Sequence, residues 1–144
     1  MKAALSAVVV LASAVVMVGC SEPVAPDVTQ PISVTHQQRL ASGDTKVPAL
    51  SVTALPGAIG FTVTSRAVCG RVEAGISRVG REIAVIANLF SEPAWLCVDL
   101  TNWVVDYSGT ISDLSPGTYR VKVFERRRDY AAAEYIASQT VKVQ

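Results

Sequence analysis

The chain has 144 residues, of which 13 are Lys or Arg and 12 are Asp or Glu, so its formal net charge is +1. This balance lacks the basic excess with which proteins neutralise phosphate groups, and it argues against a nucleic-acid partner. The length suits one domain of ordinary size.

The chain begins with the three-part layout of a secretory signal peptide. Lys2 supplies a positive start, an apolar run extends from residue 3 to residue 18, and small residues precede a cysteine. The run is shorter than the roughly 20 residues that a permanent transmembrane helix needs. We therefore predict that residues 1–19 are a signal peptide.

The segment Met17-Val18-Gly19-Cys20 resembles the lipobox of bacterial lipoproteins, whose cysteine is acylated and becomes the first residue of the mature protein. The resemblance implies acyl chains such as palmitate on Cys20, which would anchor the protein stably in a membrane. Ser21 stands where an Asp often marks inner-membrane retention, which favours the outer membrane of the cell envelope. The alternative is an ordinary secretory signal followed by a coincidental cysteine.

Residues 20–47 have the composition of a tether. Pro23, Pro26 and Pro31 interrupt a segment rich in Ser, Thr, Gln and Asp, and no apolar periodicity is sustained. Such a segment cannot bury enough apolar surface to offset its ordering entropy. The sequence therefore predicts a disordered linker between Cys20 and a folded domain.

Residues 48–144 consist of short runs rich in Val, Ile, Thr and aromatic residues, separated by turn residues. Residues 82–90 are almost continuously apolar, which is typical of a central strand covered on both faces. Apolar residues alternate with polar ones in other runs, which include residues 50–54, 59–63, 103–111 and 119–123. About seven such strands predict an all-β fold, an antiparallel β-sandwich.

The segment Leu114-Ser115-Pro116-Gly117-Thr118-Tyr119 resembles the start of the penultimate strand in immunoglobulin-like and fibronectin-III-like sandwiches. In those domains a tyrosine at this place packs at the corner of the sheet. With the lipobox, the chain is similar to small bacterial lipoproteins that carry one Ig-like domain. The resemblance implies the fold but no binding residues. Cys97 precedes Tyr119 instead of following it closely, so the inter-sheet bridge of antibody domains is not implied.

Two cysteines remain once Cys20 is assigned to lipid. Cys69 and Cys97 form an even pair in an exported protein, and we predict a disulfide between them. Two separate buried thiols are the alternative.

The residues that common catalytic sites need are missing from the predicted domain. The only histidine, His36, lies in the predicted tether, which excludes Ser-His-Asp, Cys-His and histidine-zinc arrangements from residues 48–144. Asp99, Asp106 and Asp113 recur every seven residues and share no strand face, although carboxylates from different strands can converge in glycoside hydrolases. We expect no enzyme activity, no metal and no cofactor.

Arginine is the polar residue type with the most evident potential for binding. Forked guanidinium groups suit carboxylate or phosphate partners, and the loop before the last strand carries three in succession. The alternative is that these are solvated loop charges. The candidates are Arg126, Arg127 and Arg128, with a second group at Arg66, Arg71, Arg78 and Arg81.

Trp95 and Trp103 are candidates for stacking on a sugar ring. Trp95 lies two residues before Cys97, and Trp103 shares the alternation of Val105 and Ile111, so we expect both in the core. The chain as a whole is predicted to be a lipid-anchored envelope protein whose Ig-like domain contacts another protein or a surface polymer. Binding of a glycan or a small anionic ligand through the arginine loops is the alternative.

Overall fold

The computed structural model describes residues 23–92, 100–127 and 132–144, so the predicted signal peptide and Cys20 lie outside the described residues. The described part contains nine β-strands, which confirms the all-β prediction. They are β1 (Gln30–Ile32), β2 (Val34–Leu40), β3 (Ala49–Leu55), β4 (Ala58–Arg66), β5 (Val72–Val79), β6 (Glu82–Leu89), β7 (Trp103–Ile111), β8 (Gly117–Arg126) and β9 (Glu134–Val143). In the described ranges, no helix is long and apolar enough to span a membrane.

The strands form two sheets that pack face to face as a β-sandwich. The five-stranded sheet has the order β1-β5-β6-β8-β9, and the four-stranded sheet has the order β2-β7-β4-β3. The chain changes sheets at Ser33, between β1 and β2. Both sheets contribute side chains to one continuous core, because each has one apolar face that must be covered.

The pairing departs from an immunoglobulin-like sandwich at the centre of the larger sheet. All strand pairs of the described residues are antiparallel except β6 and β8, which run parallel from the Glu82–Arg120 pair to the Asn88–Arg126 pair. Immunoglobulin sandwiches consist of two antiparallel sheets. The β-sandwich prediction is therefore confirmed, and its fully antiparallel form is wrong at this pair.

The corner that resembles Ig-like domains is nevertheless present. Tyr119 is buried at the start of β8, and its hydroxyl donates to the carbonyl oxygen of Ser115 at 2.9 Å. The guanidinium carbons of Arg78 and Arg81 lie 5.7 and 5.5 Å from the centre of its ring. A hydrogen bond to the backbone a few residues upstream is the feature that defines a tyrosine corner.

The predicted alternation is found in the inner strands. Ile59, Phe61 and Val63 of β4 are buried, and β6 is buried on both faces. The second face of β6 forms a smaller cluster with Phe124 on the outer side of the five-stranded sheet. Tight turns close the hairpins, and Gly57 and Gly80 adopt the positive φ angles (62° and 59°) that glycine tolerates without strain.

The predicted disordered tether, residues 20–47, contains two β-strands, so the prediction of disorder is wrong between residue 30 and residue 40. Residues 30–32 and 34–40 form β1 and β2, which pair with β5 and β7. Both strands lie at sheet edges, and most of their side chains are exposed, so their sequences lack a sustained apolar period. Residues 24–29, here called the strap, cross the outer face of the five-stranded sheet and end where the Thr29 N–H donates to the Ile76 carbonyl at 2.9 Å.

Candidate functional site

The outer surface of the four-stranded sheet carries an ordered array of hydroxyl groups. The strand register sets Thr35 opposite Ser108, Ser108 opposite Thr62, and Thr62 opposite Ser51, so one row of hydroxyls crosses all four strands. Side chains of adjacent strands in one row point to the same face. We call this surface the hydroxyl face, and it comprises Thr35, Ser51, Thr53, Thr62, Thr64, Ser108 and Thr110.

Some of these hydroxyls are engaged within the protein and others are open to solvent. The Thr35 and Ser108 oxygens are 3.1 Å apart, and the Thr64 hydroxyl donates to Asp106 at 2.6 Å. Thr62 and Thr110 are exposed, and within the described ranges their hydroxyls have no side-chain partner. The face therefore keeps free hydrogen-bond donors and acceptors at Thr62, in the row that crosses all four strands, and at Thr110, in the adjacent row.

The charged residues at the edge of the hydroxyl face are one ion pair, Arg39 with Asp106, and Arg66, which follows Thr62 and Thr64 on the outward side of β4 and has no ion-pair partner among the described residues. Arg39 Nε donates to Asp106 Oδ2 at 2.6 Å. Burial opposes ionisation of the Asp106 carboxyl, but the hydrogen bonds from Arg39 and Thr64 and the charge of Arg39 outweigh it and lower the pKa of Asp106 below its ordinary value. The carboxylate is thus ionised at neutral pH and compensated by a neighbouring cation.

Two adjoining depressions lie on this face. The larger is a cleft of about 810 Å³, bordered by the sheet crossover at Ser33 and by Asp113 beyond the end of β7. The smaller, of about 350 Å³, includes His36 and Gln37. Thr35, Thr62 and Ser108 line both. The two depressions therefore form one elongated, hydroxyl-lined surface.

A second polar feature lies in the interior, between the two sheets. Glu125 of β8 is 2% exposed and accepts hydrogen bonds from the Tyr107 hydroxyl at 2.9 Å and the Ser65 hydroxyl at 2.9 Å. Arg127 Nη2 donates to Glu125 Oε2 at 2.9 Å and to Ser65 Oγ at 2.6 Å. We call these four residues the Glu125 cluster.

The Glu125 cluster is a structural connection between the sheets. Ser65 and Tyr107 belong to the four-stranded sheet, whereas Glu125 belongs to the five-stranded sheet. Burial and the negative charge of Glu125 raise the pKa of Tyr107 far above its ordinary value of 10.0, so the hydroxyl remains a donor. A buried carboxylate is tolerated only when it is paired and fully hydrogen-bonded, and these contacts meet that requirement.

Two of the three arginines predicted as a binding loop, Arg126 and Arg127, are described, and they have different partners. Arg127 is committed to the Glu125 cluster and also donates to the Arg66 carbonyl at 3.3 Å. Arg126 reaches Asn88 Oδ1 at 3.4 Å on the exposed surface. Arg128 lies outside the described residues. The charge of Arg127 compensates an internal carboxylate, and ligand binding by Arg126, Arg127 and Arg128 remains a prediction.

The second arginine group is not one cluster either. Arg71 precedes β5 and Arg78 lies near its end, which places them roughly 23 Å apart along an extended strand. Arg71 pairs with Glu73 at 2.8 Å and lies over the Phe90 ring. Arg78 and Arg81 pack instead at the Tyr119 corner. Arg66, at the end of β4, shares the end of the sandwich with Arg71.

Sequence reasoning missed the Glu125 cluster, although period-two alternation contains the signal. Tyr119, Val121 and Val123 point inward, and the next two positions of that alternation are Glu125 and Arg127. In the same way, Ser65 follows the inward residues of β4. Polar residues at inward positions of two facing strands, one of them a carboxylate, indicate a buried polar connection.

The predicted cysteine and tryptophan positions are described only in part. Cys69 precedes β5 and is not a free thiol, and Cys97 lies outside the described residues, so their pairing remains a prediction. Trp95 also lies outside the described residues. Trp103 begins β7 and is half-buried, so it lies at the margin of the core and not within it. Among the described residues, no group of three His, Cys, Asp or Glu side chains could hold a metal ion.

No protein-family model, curated protein or solved structure matches this chain.

Proposed function

We propose that the protein is a lipid-anchored, non-catalytic binding module of the bacterial cell envelope, and that its hydroxyl face binds a neutral glycan chain. The observation that supports this is the row of hydroxyls across four strands, set in an elongated surface depression. The lipobox at Met17–Cys20 supports the anchor. Acyl chains on Cys20 would place the module where envelope polysaccharide is plentiful.

The chemistry of the face favours a neutral polyhydroxylated partner over an anionic one. Arg39, beside the face, is neutralised by Asp106, and Arg127 of the arginine-rich loop is paired with Glu125. Exposed hydroxyls both donate and accept hydrogen bonds, as sugar hydroxyls and acetamido groups do. An anionic ligand would need unpaired cations, and the two nearby are Arg66, at the end of β4, and Arg78, which lines the larger cleft but packs on the Tyr119 ring; neither belongs to the row of hydroxyls.

The same chemistry makes the face a poor site for a tight protein partner. Protein hot spots are enriched in Trp, Tyr and Arg that fill desolvated pockets. The hydroxyl face carries small polar side chains instead, spaced by the roughly 4.8 Å between neighbouring strands, which is comparable with one sugar ring. Many weak, repeated hydrogen bonds suit a polymer, whose successive units bind together.

Co-sedimentation tests the glycan proposal. The full lipidated protein, held in a mild detergent, is mixed with purified peptidoglycan sacculi and with insoluble neutral polysaccharides. We expect it to sediment with at least one of them. A Thr53→Val, Thr62→Val, Thr110→Val variant should lose this binding, since valine keeps the shape and strand preference but removes the hydroxyls. Thr140→Val, exposed on the other sheet, is the matched control. Equal binding by both variants, or binding to no glycan, contradicts the proposal.

The anchor is tested separately through Cys20. In a bacterial host, the protein should incorporate radiolabelled palmitate, and Cys20→Ser should abolish the label and release the protein from the membrane. Labelling that survives this substitution would contradict lipidation at Cys20. The proposed Cys69–Cys97 bridge is tested by alkylation of the denatured, unreduced protein, which should leave both thiols unmodified.

A partner strand from another protein is the second candidate, favoured by the free edge of β2. Among the described strands, β2 pairs only with β7, and Leu40 at its end is 62% exposed. An unpaired edge can accept an added strand. Affinity capture from solubilised envelope would then recover one protein with the folded chain, and Leu40→Lys would reduce its recovery. Recovery unaffected by Leu40→Lys would argue against this edge.

A further inference from the structure

We propose that the outer face of the five-stranded sheet rests on the lipid headgroups, so that the domain lies on the membrane with a fixed orientation. This inference rests on the proposed lipidation of Cys20. It is supported by the short length of chain between Cys20 and the first part of the strap that contacts the sheet.

The strap leaves very little chain between the lipid anchor and the folded domain. Val24 and Pro26 line a small depression on the sheet together with Val79 and Phe124. Only residues 21–23 separate Cys20 from Val24, and four peptide steps reach at most about 14 Å. A free tether ending at residue 47 would have allowed a much larger separation. The outer face of this sheet is therefore held within about two headgroup layers of the acyl chains, since one such layer is roughly 5–7 Å thick.

The sequence makes room for the strap where it crosses the sheet. A Cβ atom at Gly75 would overlap the Val28 side chain, and Ala25 packs against the cluster of Ala84, Ile86 and Phe124. Small residues on the sheet thus accommodate the strap, and the Thr29 hydrogen bond fixes its end. Because the strap is packed, the anchor leaves the domain from this face and not from a sheet edge.

Apolar side chains are exposed beside that point. Val24 is 89% exposed and Val79 is 77% exposed, whereas nearby Val28 is 46% exposed. Isolated exposed valines are ordinary, but these lie along the strap and the adjoining β5–β6 hairpin, where the acyl anchor begins. Side chains of this kind can enter the interface between headgroups and acyl chains.

Basic side chains surround the apolar ones. The register sets Arg120 opposite Glu82 on β6 and Thr118 opposite Lys142 on β9, so Arg120, Lys122 and Lys142 lie on the outer face. The Lys122 ammonium pairs with Glu82 at 2.7 Å, and Asp27 in the strap adds one more carboxylate. Arg120 and Lys142 remain without an ion-pair partner among the described residues. Cations beside exposed apolar groups suit an anionic lipid surface.

This orientation of the domain determines which way the hydroxyl face points relative to the membrane. The two sheets of a sandwich stack about 10 Å apart, with their outer faces pointing in opposite directions. If the five-stranded sheet lies on lipid, the four-stranded sheet presents its hydroxyls away from the membrane. The contact with lipid and the proposed contact with glycan then use opposite sides of the same module.

Lysine footprinting on vesicles tests the orientation. The full lipidated protein is reconstituted on vesicles of phosphatidylcholine and phosphatidylglycerol, labelled with a neutral amine reagent and analysed by mass spectrometry. We expect labelling of Lys142 to fall severalfold relative to the protein in detergent. Lys46, in an exposed loop outside this face, should label equally in both. The variant Val24→Asp, Val79→Asp should restore labelling of Lys142, because both side chains are exposed and their replacement leaves the core intact.

Vesicle flotation separates this inference from the anchor on which it rests. Protein that fails to float contradicts lipid anchoring. Protein that floats while Lys142 and Lys46 label as they do in detergent contradicts the orientation and leaves the anchor intact. Protection of Lys142 that persists in the double-aspartate variant also overturns the proposal, since the contact would then not involve the strap.

Discussion

Arg127 and Arg126 are adjacent in sequence, yet the structure predicts very different consequences for their removal. Arg127 donates to the buried carboxylate of Glu125 and to Ser65, whereas Arg126 makes one long contact with Asn88. Arg127→Ala should therefore destabilise the fold clearly. Arg126→Ala should change the free energy of unfolding by less than about 0.5 kcal/mol, as is usual for exposed sites.

The magnitude for Arg127 follows from what Glu125 retains after the substitution. Breaking a fully buried ion pair costs about 3–5 kcal/mol, and a net hydrogen bond to a charged group contributes about 1.5–3 kcal/mol. Glu125 would keep its bonds from Tyr107 and Ser65, and water could replace part of an arginine side chain that is 34% exposed. We therefore expect a loss of about 2–3 kcal/mol, or roughly 6–15 °C in midpoint for a domain of this size.

Urea unfolding of the two variants measures the difference, and a third variant tests its cause. In a Glu125→Gln background the buried charge is absent, so Arg127→Ala should cost much less than in the wild type. Such non-additivity is the expected sign of a direct pair. If Arg127→Ala and Arg126→Ala are equally mild, or if Arg127→Ala costs as much in the Glu125→Gln background as in the wild type, the ion-pair argument is refuted.

Three further perturbations have expected outcomes. Gly70→Ala should destabilise the fold strongly, because the added Cβ would collide with the backbone carbonyl of Phe90, and thermal unfolding measures this. Above pH 10 the unfolded chain ionises Tyr107 while the fold keeps it protonated, so the free energy of unfolding should fall by up to about 1.4 kcal/mol per pH unit. Tyr107→Phe should remove that part of the alkaline slope. The pKa of Asp106 is lowered in the fold, so its contribution to stability is present at neutral pH and is lost as the pH falls below about 3.8, the ordinary value. Acid titration of Asp106→Asn should lack this part of the loss, and an unchanged acid slope would contradict the assignment.

Strands buried on at least one face were predictable from the sequence. Ile59, Phe61 and Val63 alternate because β4 covers the core with one face, and the continuous apolar run of β6 reflects cover on both. In these strands the apolar side chains are the ones that the fold buries, so the sequence pattern alone indicates which faces of each strand are covered.

The edge strands were not predictable in this way. In β2, only Val34 and Gln38 are even partly buried, and Gln38 meets its surroundings through a hydrogen bond of 2.5 Å to the Val68 carbonyl. A strand held by backbone pairing and one polar side chain leaves no apolar period. Distant pairing also governs the site, since the hydroxyl row exists only because the register aligns Thr35 with Ser108 and Thr62. Single-strand patterns do not contain that register.

The parallel pair β6–β8 has a consequence for how the chain folds. The two N-terminal strands of the domain pair with strands that are distant in sequence: β1 pairs with β5, and β2 pairs with β7. Between β6 and β8 the chain must cross to the opposite sheet, build β7 and return. Neither sheet can therefore be completed alone, and such non-local pairing makes folding slow and all-or-none. During synthesis from the N-terminus, β2 would stay unpaired until its partner β7, which ends at residue 111, had been made. The two sheets should therefore form together in one concerted step.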